Sequence, residues 1–231
     1  MLDFGKFQVL TFDCYGTLVD WETGILSALK PLLAAHGKSV PDAEVLELYG
    51  EFEAQAEAGP YLSYQGVLQS VVRSFGKHLS FTATTEEVDS LASSVPHWRP
   101  WPDTVPALKK MATHYGLAII SNIDDDLFAT TRPNLHADFQ SVTTAQQARC
   151  YKPSLEIFRM ALNKVGVPIS GVLHVGQSVY HDVLPAQSLG LATVWVNRPS
   201  RRHGVGAVRE AEGQPDLEVP DLETLANLAV R

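Results

Sequence analysis

Four short apolar runs constrain this chain more than anything else in it. They are Phe7–Phe12 (FQVLTF), Leu117–Ser121 (LAIIS), Gly171–Val175 (GVLHV) and Leu191–Val196 (LATVWV). A strand with one wet face alternates apolar and polar residues, whereas a strand covered on both faces reads as a continuous run. A weaker run of the same kind lies at Ser141–Thr144. Between the runs lie helical periods: Val105, Leu108 and Met111 share one face, and Leu155, Phe158, Leu162 and Val165 another. Strands alternating with helices predict an α/β chain with a parallel, Rossmann-like sheet and right-handed crossovers.

One region departs from that rhythm. From Trp21 to Pro96 helical stripes follow one another without a strand: Ile25, Leu29, Leu32 and Leu33; Val45, Leu48, Tyr49 and Phe52; Val67, Leu68, Val71 and Phe75; and a fourth over Thr85–Ala92. Breakers separate them at Gly37-Lys38-Ser39, Gly59-Pro60 and Thr82-Ala83-Thr84. The spacing predicts an inserted four-helix bundle. The expected domains are an α/β core over 1–20 and 97–231 and a helical insertion over 21–96, with HWRPWPD (97–103) as the return segment. Pro199–Gln214 reads as an exposed loop whose Arg201-Arg202 pair is solvated.

Composition narrows the partners. The 231 residues carry 18 Lys+Arg against 26 Asp+Glu, a formal charge of −8. An acidic chain with dispersed basic residues argues against nucleic acid or an anionic membrane surface as the main partner, but not against a small anion. No run approaches the roughly 18 apolar residues needed to span a bilayer. The beginning of the sequence lacks a basic region followed by a cleavage site. Cys14 and Cys150 form neither a disulfide framework nor a zinc signature. A cytoplasmic protein acting on a small molecule is expected. The apolar insertion helices suit either a homodimer interface or their own core.

In an open parallel sheet, ligands gather at the carboxyl ends of the strands. Four such ends carry polar groups here: Asp13 with Thr17, Ser121 with Asn122, Lys152 before Pro153 at a helix start, and Gly176-Gln177-Ser178 with Asp182. FDCYGTLVD, IISN, YKPSLEIF and HVGQSVYHD together resemble, in order, the four motifs of the haloacid dehalogenase (HAD) superfamily, and the helical insertion resembles that family's small cap closing over the α/β site. Single motifs of this length are weak; four in order with fitting spacings are specific.

Where the chain departs from the family pattern, it favours one branch of it. The superfamily's phosphatases carry an acidic residue two positions after the nucleophile, where this chain has Tyr15, whose ordinary pKa of about 10 makes it a poor proton donor. They also carry Gly-Asp-Ser in the fourth motif, where this chain has Gly176-Gln177-Ser178. Both changes remove what phosphate-ester hydrolysis needs, namely help for a poor leaving group and a Mg²⁺ carboxylate. Halide leaves as a weak base and needs neither. The Asp-x-Tyr-Gly-Thr form resembles type II (S)-2-haloacid dehalogenases, which use no cofactor.

That resemblance implies Asp13 as nucleophile forming an ester, Asp182 as activator of water, Lys152 as charge partner and Thr17 as a hydrogen-bond donor in the nucleophile loop. It implies substrate contacts from Tyr15, Gly16, Ser121, Asn122, Gln177 and Ser178, with Ser121 and backbone N–H groups near Tyr15 and Gly16 on the carboxylate and Asn122 on the halide side. Three family positions differ: the first arginine is Arg73, where the family has one on the cap for the halide; Phe158 replaces a tyrosine; and Gln177 and Val179 replace a serine and an asparagine. Fluoroacetate-type acids, or ring opening beside a carboxylate, therefore stay open as substrates. The other readings are a Mg²⁺-dependent phosphatase and a non-catalytic binding protein. Asp124-Asp125-Asp126 reads as a helix N-terminus rather than a metal site, and His181 as either a base or a packed side chain.

Overall fold

The first apolar run becomes the middle of a sheet. In the computed structural model, which describes residues 2–198 and 206–230, β1 (Val9–Phe12) is buried throughout. It pairs in parallel with β2 (Gly116–Ser121) on one side and β4 (Val172–Gly176) on the other. β3 (Ser141–Thr144), β5 (Ala192–Val196) and β6 (Leu217–Val219) complete a six-stranded parallel sheet in the order β3-β2-β1-β4-β5-β6. The chain steps outward from β1 in both directions, so the strand order reverses beside β1 and opens a crevice at the carboxyl ends of β1 and β4. The predicted α/β class and parallel sheet are what the structure has.

The connections are helical. α5 (Thr104–Met111) precedes β2, α6 (Asp125–Leu135) follows it, and α7 (Ala145–Ala148) and α8 (Leu155–Val165) lie between β3 and β4. α8 buries Ile157, Phe158, Ala161 and Val165; Leu155 and Leu162, expected on this face, are half-buried. Ser154 caps its N-terminus, accepting from the Glu156 N–H. After β4 a π-helical turn (Val179–Val183) leads into α9 (Leu184–Ser188), and α10 (Leu222–Ala229) ends the chain behind an Asp221 cap that accepts from Thr224 N–H at 2.7 Å.

The chain forms two compact units: Met1–Asp20, Pro100–Pro199 and Glu210–Arg231 carry the sheet, and Trp21–Arg99 with Ser200–Arg209 carries four helices. These helices are α1 (Trp21–Ala35), α2 (Asp42–Glu57), α3 (Tyr64–Leu79) and α4 (Thr85–Ser94). α4 starts with a reciprocal capping box, in which Glu87 N–H reaches Thr84 Oγ1 (3.3 Å) and Thr84 N–H reaches Glu87 Oε2 (2.7 Å). The helical unit runs to Arg99 because Trp98 packs on α1, where a Cβ on Gly24 would lie 2.5 Å from the indole Cδ1. Pro100 instead bridges Val19 within the sheet unit.

Residues 199–205 of the expected exposed loop, including Arg201-Arg202, lie outside the described residues. Of its remainder, Ala207 is buried and donates its N–H to Glu22 Oε1 at 3.0 Å. Among the described residues, no helix is long and apolar enough to cross a membrane.

Candidate active site

Asp13 follows β1 at the crevice. Its N–H continues the β1–β4 ladder to Val175 O (3.0 Å), which sets the direction of its side chain. Oδ2 accepts from the Thr17 hydroxyl at 2.6 Å and Oδ1 from Lys152 Nζ at 2.7 Å. Thr17 comes back to Asp13 because the chain turns at Gly16, whose φ of 99° suits a residue without Cβ. The Thr17 hydroxyl also accepts from Gln177 N–H (2.9 Å), tying the nucleophile loop to the end of β4.

Lys152 is buried, and all three of its N–H donors have acceptors: Asp13 Oδ1 (2.7 Å), Asp182 Oδ1 (2.7 Å) and Ile120 O (3.2 Å). Asp182 reaches it across a gap left by a missing side chain. His174 and Gly176 project from the same face of β4. A Cβ on Gly176 would lie 2.5 Å from Asp182 Cβ, a distance that packed atoms do not tolerate. Asp182 fills that space, with Oδ1 at 3.3 Å from His174 Nε2 and Oδ2 accepting from Ser178 N–H at 3.3 Å. Thr11 Oγ1 lies 2.9 Å from His174 Nδ1, and the Phe158 ring meets His174 edge-on at 5.2 Å. His174 and Thr11 are buried polar residues that sequence reasoning missed. The available signal was a histidine inside a strand covered on both faces, where a polar ring needs a partner.

The two carboxylates differ electrostatically. Burial pushes the Asp13 pKa up and Asp182 adds to it; Lys152 and Thr17 offset this only in part, so it lies above the ordinary 3.8. Burial also opposes ionisation of Asp182, but Lys152 and His174 outweigh it and hold that carboxyl below the usual range. Burial would lower the Lys152 pKa, yet Asp13 and Asp182 raise it above the ordinary lysine value. Two carboxyls on one ammonium with pKa values moved apart is an arrangement suited to separate chemical roles.

Other expected site residues sit differently. The Tyr15 hydroxyl pairs with Thr131 Oγ1 at 2.8 Å, and burial, chiefly, takes its pKa well above the ordinary tyrosine value. Gly16 N–H, expected on the substrate carboxylate, donates to Val19 O at 2.9 Å, closing the turn. Asn122, expected on the halide side, spends its amide on the Lys152 backbone: Oδ1 accepts from Lys152 N–H (2.7 Å) and Nδ2 donates to Lys152 O (3.2 Å). It positions the lysine. The Ser178 hydroxyl caps the π-helical turn, accepting from His181 N–H at 3.0 Å, with His181 Nδ1 at 3.2 Å. The Gln177 backbone is held at both ends, its N–H by Thr17 and its carbonyl by the Trp195 indole N–H (2.8 Å).

Ser121 is different again. Its Oγ is buried with no hydrogen-bond partner among the described residues. Phe12 pairs with Ile119, which puts Ser121 at the end of β2 level with the residue after Asp13. An orphaned hydroxyl at that place suits an oxygen-rich ligand.

A Mg²⁺ ion fits the donor set poorly. It needs hard oxygen ligands in an octahedron, whereas the four carboxylate oxygens of Asp13 and Asp182 all accept hydrogen bonds and a lysine ammonium lies between them. Gln177 supplies no carboxylate. Among the described residues, no cluster of three or more His, Cys, Asp or Glu is placed to hold a metal. Within the Asp124–Asp126 run, Asp125 Oδ1 accepts from Thr144 Oγ1 (2.8 Å) and Gln147 Nε2 (2.6 Å) at the start of α6.

The chain has relatives among known proteins. The (S)-2-haloacid dehalogenase of Pseudomonas fluorescens is 23% identical over 226 residues, covering 96% of both chains. A defluorinating L-2-haloacid dehalogenase shares the fold with a TM-score of 0.82 at 21% identity, over 96% of this chain and 95% of that one. The L-2-haloacid dehalogenase of Xanthobacter autotrophicus, solved with chloropropionic acid covalently bound, has a TM-score of 0.79 at 20% identity, over 96% and 98%. The model of haloacid dehalogenase-like hydrolases matches residues 7–190, most of the sheet unit and all four helices, and on that match the chain belongs to the haloacid dehalogenase-like hydrolase family.

Proposed function

We propose that this enzyme hydrolyses short 2-haloacids to 2-hydroxy acids through an ester on Asp13, without a metal. The observation that carries the reading is Lys152. It bridges Asp13 and Asp182 and offsets one of their two negative charges from within the protein. The Pseudomonas fluorescens enzyme and the defluorinating enzyme, both matched over nearly the whole chain, are by name dehalogenases of this substrate class.

In the first step a carboxylate oxygen of Asp13 attacks the carbon bearing the halogen. The carbon–oxygen bond forms as the carbon–halogen bond breaks, the halide leaves with the bonding pair, and the carbon inverts. Ser121 Oγ is the hydroxyl available to the substrate carboxylate. In the second step water adds to the Asp13 ester carbonyl, giving a proton to Asp182, which is ionised at working pH before the transfer. Lys152 stabilises the oxyanion. Collapse breaks the ester bond to the substrate oxygen, the departing alkoxide takes the proton back from Asp182 and leaves as the 2-hydroxy acid, and the Asp13 carboxyl loses its remaining proton to solvent. The halide expelled in the first step needs no proton donor, consistent with Tyr15 being turned to Thr131. Both cysteines are free, Cys14 buried and Cys150 half-buried, which supports a reducing, cytoplasmic setting.

A panel of 2-haloacids and phosphate monoesters, scored for halide and phosphate with and without EDTA, tests the reading. Halide release that persists in EDTA and disappears in Asp13→Asn is expected. Phosphate release that chelation abolishes would replace it with the phosphatase reading.

A further inference from the structure

We propose that Arg198 is a positioning residue for the nucleophile, gripping the backbone of Thr17 so that the Thr17 hydroxyl stays on Asp13. The inference rests on Asp13 being the reacting group. Three consecutive carbonyls of the nucleophile loop are held from behind. Gly16 O accepts from the Trp101 indole N–H (3.1 Å), and Leu18 O from Trp101 N–H (3.0 Å) and the Thr104 hydroxyl (2.8 Å). Thr17 O, between them, accepts twice from one guanidinium, from Arg198 Nε (3.2 Å) and Nη2 (3.0 Å).

The guanidinium is itself fixed on every side. Nη1 and Nη2 donate to the two Asp103 carboxylate oxygens at 3.0 and 3.2 Å, and Asp103 Oδ2 is further held by Leu222 N–H (2.7 Å). The Arg198 Cζ lies 4.7 Å above the Trp101 ring. The side chain is 9% exposed, so neither partner is screened as a surface pair would be. A planar fork with donors along two edges meets this arrangement, and a lysine ammonium cannot. Thr17 is thereby held at its carbonyl by Arg198 and at its hydroxyl by Asp13 and Gln177 N–H. Asp13 in turn has one oxygen on Lys152 and the other on Thr17, so a shift of the Thr17 backbone re-aims the attacking carboxylate.

The test is a double-mutant cycle of Arg198→Met and Thr17→Val. If Arg198 acts through Thr17, Arg198→Met alone lowers kcat about ten- to a hundredfold with KM within about threefold. Arg198→Lys rescues little of that. In the Thr17→Val background Arg198→Met then costs less than about threefold more. Equal losses in both backgrounds, or a lower Tm with unchanged kcat, overturn the proposal. Asp103→Asn, which keeps its size but weakens the fork, provides the same cycle if Arg198→Met does not fold.

A ¹³C-carboxyl titration of Asp13 gives a readout that needs no turnover. Arg198→Met is expected to move its midpoint upward in the parent chain and to leave it in place in Thr17→Val; no movement in either overturns the proposal. Absence of halide release from the parent enzyme would count against the dehalogenase reading alone, and this titration would still decide the coupling.

Discussion

Gly176 shows how one residue governs the candidate site by what it lacks. Asp182 occupies the volume a side chain at 176 would need, and only from there does it meet both Lys152 and His174. Gly176→Ala is therefore expected to displace Asp182 and lower kcat/KM by at least about a hundredfold. Combined with Asp182→Ala it should cost little more, since both changes remove the same carboxylate. Turnover of the three variants checks this, and multiplicative losses would mean that Gly176 acts elsewhere.

At this scale the sequence was informative where a motif names a charged group and silent where orientation decides. Asp13, Thr17, Lys152 and Asp182 converge as their motifs suggested. Asn122, Gly16 and Ser178 belong to the same set of four motifs, but the Asn122 amide, the Gly16 N–H and the Ser178 hydroxyl each engage backbone groups of the protein, as short polar residues at strand ends commonly do. Nothing in a linear sequence shows which way an amide or hydroxyl points. Arg198 carries no motif, and its partners Thr17 and Asp103 lie 181 and 95 residues away in the chain.

Among the elements, the helical unit contains a buried acid with no part in the proposed chemistry. Glu53 on α2 accepts from Tyr49 of its own helix (2.8 Å) and Tyr64 of α3 (2.6 Å), and the two hydroxyls lie 3.0 Å apart. Burial pushes the Glu53 carboxyl up from 4.5 to about 7, with the phenols opposing. Between those values the folded chain keeps a proton that the unfolded chain has released. Stability from this group is therefore greatest at low pH and falls as pH rises toward 7, by up to about 3 kcal/mol. Glu53→Gln keeps an acceptor for both phenols and has nothing to ionise. Its urea midpoint should lose that part of the pH dependence and exceed the parent's at pH 8; an identical slope in the two proteins would sink the account.

Elements were legible in proportion to how completely their faces are covered. β1, β2, β4 and β5 announce themselves as continuous apolar runs. β6 is three residues at the sheet edge with an exposed Glu218 at its centre, too short and too polar to stand out. α10 follows it, with no run before it to mark a crossover.

For the molecule as a whole, strand order decides which carboxylate can react. Asp13 and Asp182 come from opposite sides of the point where the order reverses, and a single lysine binds both. Their surroundings are not equivalent. Asp13 follows the central strand and keeps 7% of its surface, whereas Asp182 keeps 1% and is enclosed behind Gly176 by Lys152, His174 and Ser178 N–H. In the proposed mechanism the more exposed Asp13 is the carboxylate that meets the substrate carbon, and the enclosed Asp182 is left the proton transfer. In that mechanism the water that hydrolyses the ester attacks the Asp13 carbonyl, so solvent oxygen is expected to enter that side chain before it enters product. In ¹⁸O-water with enzyme in excess, the first 2-hydroxy acid should carry unlabelled oxygen. After many turnovers, the peptide containing Asp13 should gain ¹⁸O while the one containing Asp182 stays unlabelled. Labelled product in the first turnover would mean that water attacks the substrate directly, with Asp13 as base. Label in the Asp182 peptide would mean that the carboxylate on the far side of the lysine is the nucleophile.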